Sequence, residues 1–139
     1  MIFSYLLLFS SISQAQDGKP IQVVFYCETT KDRKTVAIFK QGDNLTYQFG
    51  DSVGKPELQI VQSEQDVEKT PWPGIGGTYW NSITFTNKSY SYVIQSRYER
   101  NESAKVTAGV TVYKAGNKIA SLDRQTTSGF VDQIGDFVE

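Results

Sequence analysis

The chain has 139 residues, no histidine, one cysteine, and 14 basic against 15 acidic residues. That length suits one domain with a core of its own, and the near-neutral charge gives no basic face for nucleic acid. Without histidine there is no Ser-His-Asp or Cys-His nucleophile pair and no histidine-containing zinc site, and a lone Cys27 excludes the disulfide-dense secreted scaffolds.

The N-terminal MIFSYLLLFSSISQAQ has an apolar core from Ile2 to Phe9, followed by Ser13 and Ala15 at the small-residue positions ahead of a cleavage site. This pattern predicts a secretory signal peptide over residues 1–15 and a mature domain over 16–139. No Lys or Arg precedes the apolar core, so the amino terminus supplies the positive charge. The apolar run falls short of the roughly 20 residues that span a bilayer. No membrane insertion is expected after cleavage, no Cys follows the run to carry a lipid anchor, and the expected location is periplasmic or secreted.

From residue 22 onward the dominant period is two. Leu45, Tyr47 and Phe49 share a face, as do Leu58 with Ile60, Ile83 with Phe85, and Ala108 with Val110 and Val112, the pattern of half-buried antiparallel strands. The stretches QGDN, TNKS and KAGNK lie between such runs as hairpin turns. Eight strands are predicted, at 21–27, 34–40, 45–50, 57–62, 79–86, 89–98, 107–114 and 118–123. Cys27 falls in the first and reads as a small buried apolar residue, with a reactive thiol or an intermolecular bridge as the alternative. Lys31, Arg33 and Lys34, interrupted by Asp32, read as a solvated hairpin end. SEQDVEK carries a capping-box spacing that allows one helical turn at Glu64 to Lys69. The tail TSGFVDQIGDFVE has irregular apolar spacing and is expected to add an edge strand or to pack over one end. Short strands joined by tight turns, with no helical crossover, give an all-β class: a small antiparallel β-barrel or sandwich of about eight strands.

The chain offers little for catalysis. Glu64, Asp66 and Glu68 alternate along a polar segment with no apolar surround to raise a pKa. No loop has the D-x-D-x-D-G spacing for calcium, and GxxxxGK[ST] is absent. GIGG at 74–77 does not join a strand to a helix, so it is no dinucleotide loop. The reading is a non-enzyme with no catalytic residue, no metal and no cofactor. Three Asn-x-Ser/Thr sequons, at Asn44, Asn87 and Asn101, fall in predicted turns or loops.

The segment TPWPGIGGTYWNSITF, residues 70–85, holds two Trp, two Pro and three Gly. Pro71 and Pro73 fix φ on either side of Trp72 and stiffen its backbone, and the glycines permit turns around Ile75. In the following strand Tyr79, Asn81, Ile83 and Phe85 share one face, while Trp80, Ser82 and Thr84 share the other. Trp80 is therefore a surface aromatic unless a bulge falls near Asn81. Two roles stand open for this loop. In one it is a recognition element, since Trp and Tyr on rigid loops suit interface hot spots. In the other Trp72 plugs an open end of the fold and Trp80 lies under the C-terminal tail. A second patch gathers Tyr90, Tyr92, Arg97, Tyr98 and Arg100, with the mixed face of a long hairpin arm as its plainer account. The candidate binding residues are Trp72, Ile75, Tyr79, Trp80, Arg97 and Tyr98.

The strand FYCETT, the run VAIFKQGDNLTYQF and the later GIGGTYW resemble the small exported bacterial inhibitors of C-type lysozyme. That resemblance implies a compact antiparallel β-barrel whose mature chain opens with an aromatic-x-Cys strand. The family carries a second Cys and a Ser-Gly loop with a basic residue; here the nearest positions are Gly76, Gly77, Thr78 and Tyr79, and no second Cys is present. The GIG and A-G-V-x-V patterns, the latter at Ala108, Gly109, Val110 and Val112, are also similar to those of exported enterobacterial β-proteins. The expected function is an exported binding module, a protein inhibitor or immunity protein. Its partner would be a lysozyme or another peptidoglycan-targeting enzyme. The alternative is a carbohydrate or envelope-ligand binding domain in which Trp72, Tyr79 and Trp80 form a stacking platform.

Overall fold

The structure is a computed structural model, and it describes residues 20–31, 33–99, 106–124 and 130–138. The signal segment, Arg100 and the Asn101 sequon lie outside them. Among the described residues there are ten strands in two antiparallel sheets. The first sheet has the order β10-β1-β2-β3-β4, with β1 at Ile21–Glu28, β2 at Thr35–Gln41, β3 at Asn44–Ser52, β4 at Lys55–Ser63 and β10 at Val131–Asp132. The second has the order β5-β6-β7-β8-β9, with β5 at Glu68–Thr70, β6 at Thr78–Asn87, β7 at Tyr90–Glu99, β8 at Val106–Lys114 and β9 at Asn117–Asp123.

All eight strands expected from the alternating pattern are present, to within two residues at each end. The two additional strands are three and two residues long, too short to carry a period. The expected helical turn is a 3-10 turn at Glu64–Asp66, where the Ser63 hydroxyl accepts from the Gln65 N–H. The tail does both things expected of it: β10 pairs along β1, and a one-turn helix α1 (Ile134–Val138) packs on β6.

The three anticipated turns close tight hairpins, with Gln41 paired to Asn44, Asn87 to Tyr90 and Lys114 to Asn117. Their first loop residues, Gly42, Lys88 and Ala115, all take positive φ, as primed turns demand. Val24 is the extra residue of a bulge against β2, and both Val24 and Phe25 are buried.

The alternating faces meet in one core. Phe25, Val36, Ile38, Leu45 and Tyr47 come from the first sheet, and Ile83, Phe85, Ile94 and Val110 from the second. Tyr47 spans the layers, its ring 5.6 Å from Phe85 and 5.5 Å from Tyr92. Cys27 is free and buried, and burial pushes its thiol pKa up to about 12. The barrel alternative is corrected: the two sheets do not close on one another. Where β1 passes β9, the described residues share the bridge Thr29 to Arg124 and the bond from Thr30 N–H to the Asp123 carbonyl, so the architecture is an open sandwich.

Members of the basic and acidic clusters, Arg33 with Lys34 and Glu64, form ion pairs at the surface. Lys34 binds Asp51 at 2.7 Å and also Glu57, and these two hydrogen bonds raise its pKa. Glu64 holds Lys40 at 2.7 Å and Lys69 at 3.0 Å, which lowers its own pKa. Both ammonium groups also lie over the Phe137 ring of α1, a cation–π arrangement.

Candidate functional site

The segment between β5 and β6 forms a loop whose internal bonds explain its composition. The Trp72 indole N–H donates to the Ile75 carbonyl at 2.9 Å, and the Trp72 main-chain N–H donates to Asn81 Oδ1 at 3.0 Å. Gly74 and Gly76 stand at φ near 94° and 97°, a region closed to most side chains, and they turn the chain tightly around Ile75. Ile75 is thereby the tip, 74% exposed. Trp72 is half-buried and meets Tyr79 edge to face, with centroids 5.1 Å apart and planes at 73°.

Tyr79 and Tyr98 are cross-strand partners on β6 and β7, with ring centroids 6.0 Å apart and planes at 51°. The Tyr98 hydroxyl donates to the Asp132 carboxylate, and Asp132 Oδ1 accepts from the Ile134 N–H at 3.1 Å. Burial first, and the bond to Asp132 second, push the Tyr98 pKa well above its ordinary value.

Four of the six sequence candidates, Trp72, Ile75, Tyr79 and Tyr98, thus come together at one end of the sandwich. Trp80 and Arg97 do not join them. They are paired across β6 and β7 on the outer face, in an unbroken register that leaves no bulge near Asn81. The tail meets the inner face of β6 through Gly135, beside Tyr79 and Asn81, and so lies on the side away from Trp80. In the second patch Tyr90 and Tyr92 stack at 6.3 Å and Lys114 lies over Tyr90, as on a mixed hairpin face.

A cavity of about 240 Å3 opens behind the loop, lined by Tyr79, Asn81, Tyr98, Asp132, Gly135 and Asp136. A methyl group at Gly135 would stand 2.7 Å from Tyr79 Oη and 3.2 Å from Asn81 Nδ2, so a larger residue here would push on Tyr79 and on the Asn81 amide. Asn81 is 1% exposed, and its Nδ2 has no hydrogen-bond partner among the described residues. Its cross-strand neighbour Ser96 is fully buried and its Oγ is likewise unpartnered. A larger cavity of about 680 Å3 lies on the outer face of the second sheet, between Gln95, Arg97, Thr107 and Asp123, and touches none of the loop aromatics.

Sequence reasoning did not single out Asn81, Asp132, Gly135 or Asp136. The signal for Asn81 was visible, since it is the one amide among Tyr79, Ile83 and Phe85 on a core face. Among the described residues no cluster of three or more potential metal ligands occurs, and no helix is long and apolar enough to cross a membrane. Comparison of the chain with protein-family models, with curated proteins and with solved structures finds no match to any of them.

Proposed function

We propose that the protein is an exported binding module that engages a protein partner through the 71–77 loop, in the manner of an inhibitor or immunity protein acting on a peptidoglycan-targeting enzyme. The observation that carries this reading is Ile75, an apolar side chain 74% exposed at the tip of a loop tied from within by the Trp72 indole. A preorganised apolar tip saves ordering entropy on association, and an exposed, projecting apolar tip suits a protein surface better than a ligand cleft. Trp72 serves as the strut and Ile75 as the anchor. The ring geometry weighs against a stacking platform for glycans, because Trp72 and Tyr79 meet at 73° and Trp80 faces the other way.

The test is inhibition of a C-type lysozyme, followed by turbidity loss of a cell-wall suspension, together with binding to other peptidoglycan hydrolases by calorimetry. Stoichiometric binding that Ile75→Asp weakens at least a hundredfold, about 2.7 kcal/mol, with the thermal midpoint unchanged, is the expected outcome. Equal binding by the Ile75→Asp variant would remove the loop from the interface.

A further inference from the structure

We propose that the cavity between Tyr79, Asn81, Tyr98, Asp132 and Asp136 is a binding site for a single neutral sugar ring. The proposal goes beyond the protein-binding reading and does not rest on it. The floor is set by the Asn81 amide, whose Oδ1 is committed to the Trp72 N–H and whose Nδ2 is left with hydrogens to donate. A buried donor without a partner is costly, and a ligand that brings an acceptor removes that cost. The walls supply the opposite demand. Asp132 and Asp136 are acceptors only, and although Asp132 already receives bonds from Tyr98 and from Ile134, each carboxylate oxygen has a second lone pair.

The ligand must therefore accept from an amide and donate to carboxylates within one small space. A carboxylate or phosphate satisfies the amide and is repelled by the two aspartates. An ammonium or guanidinium satisfies the aspartates and offers nothing to the amide. A hydroxyl does both. Two tyrosine rings on adjacent strands give the C–H surface of a pyranose an apolar contact. The volume, about 240 Å3, lies below the roughly 300–1,000 Å3 of drug-sized sites, and so admits one ring rather than an oligosaccharide.

Titration of the 15N-labelled protein, read by amide and aromatic NMR shifts, tests the assignment with four probes: methyl glucoside, N-acetylglucosamine, glucuronate and arginine methyl ester. The neutral sugars are expected to move the Asn81 side-chain NH2 and the Tyr79 and Tyr98 ring signals with dissociation constants of about 1–10 mM. Glucuronate should bind at least tenfold more weakly. Gly135→Ala puts a methyl against Tyr79 and Asn81 and should abolish the shifts, while Asp136→Ala, at an exposed position that leaves folding intact, should weaken them several-fold. Silence of the Asn81 amide up to about 50 mM neutral sugar overturns the proposal, as do shifts unchanged in both variants. A stronger response to arginine methyl ester reassigns the cavity to a basic side chain and overturns it too. Ile75→Asp should leave the sugar response intact, so failure of the loop reading and failure of this one are told apart.

Discussion

The inner face of the β6–β7 hairpin has two ends built on different rules. Near the turn, Ile83, Phe85 and Ile94 are fully buried, and the Phe85 ring stacks on Tyr47 of the opposite sheet. At the other end Asn81 and Ser96 face one another across the same two strands, equally removed from solvent, and each keeps a polar atom unpartnered among the described residues. The backbone pairing is identical and continuous. The difference lies in the side chains alone: the apolar end stabilises the sandwich, and the polar end carries a desolvation penalty where Asn81 holds the Trp72 N–H.

That contrast can be broken in order of size. Phe85→Ala should destabilise by about 3–5 kcal/mol in urea unfolding, the largest effect of a single truncation on this face. Asn81→Ala should cost about 1–3 kcal/mol, because it orphans the Trp72 N–H, and hydrogen exchange at Trp72 should speed up while Ile94 stays protected. Stability equal to the parent would mean that the amide holds nothing. Ser96→Ala should go the other way, neutral or stabilising by up to about 1 kcal/mol, since it deletes a buried hydroxyl that has no partner; a clear loss in the urea midpoint would show that Oγ is satisfied after all.

The smallest effect concerns pH. The Glu64 pKa lies below its ordinary 4.5, chiefly through Lys40 and then Lys69, so the unfolded chain takes up its proton first as pH falls. The stabilisation is present above about 4.5 and lost as pH drops through the lower folded value. A partly exposed pair of this kind contributes about 0.3–1 kcal/mol. Because Phe137 sits beneath both lysines, acid should loosen α1 and the polar end before the apolar end, readable as faster exchange at Phe137 than at Ile94 when the pH is lowered from 6 to 3 (about three units around the carboxylate range).

What was legible in the sequence follows from the range over which the physics acts. Alternation is local, so Leu45, Tyr47 and Phe49 announce their strand, and turn residues such as Gly42 mark its start. The Pro and Gly around Trp72 are local too, and they mark the segment that turns tightly around Ile75. Strand parity then put Trp80 outside and Asn81 inside. The rest of the polar end was hidden because it is assembled from a distance. Asp132 and Asp136 reach Tyr98 and Tyr79 only because Val131 and Asp132 pair with β1, a two-residue match with no periodicity of its own. Closure was equally illegible: whether two sheets meet at their edges depends on edge pairing that alternation does not encode.

Cys27 bears on how such a chain matures. Its thiol is the only one in the molecule and lies wholly within the core, so folding neither requires an oxidant nor leaves a reactive sulfur behind. The finished domain is indifferent to the redox poise around it, and its one vulnerable interval is the time before the core closes. The same sulfur is then a native clock for unfolding: the rate at which a thiol reagent finds it measures how often the whole sandwich opens.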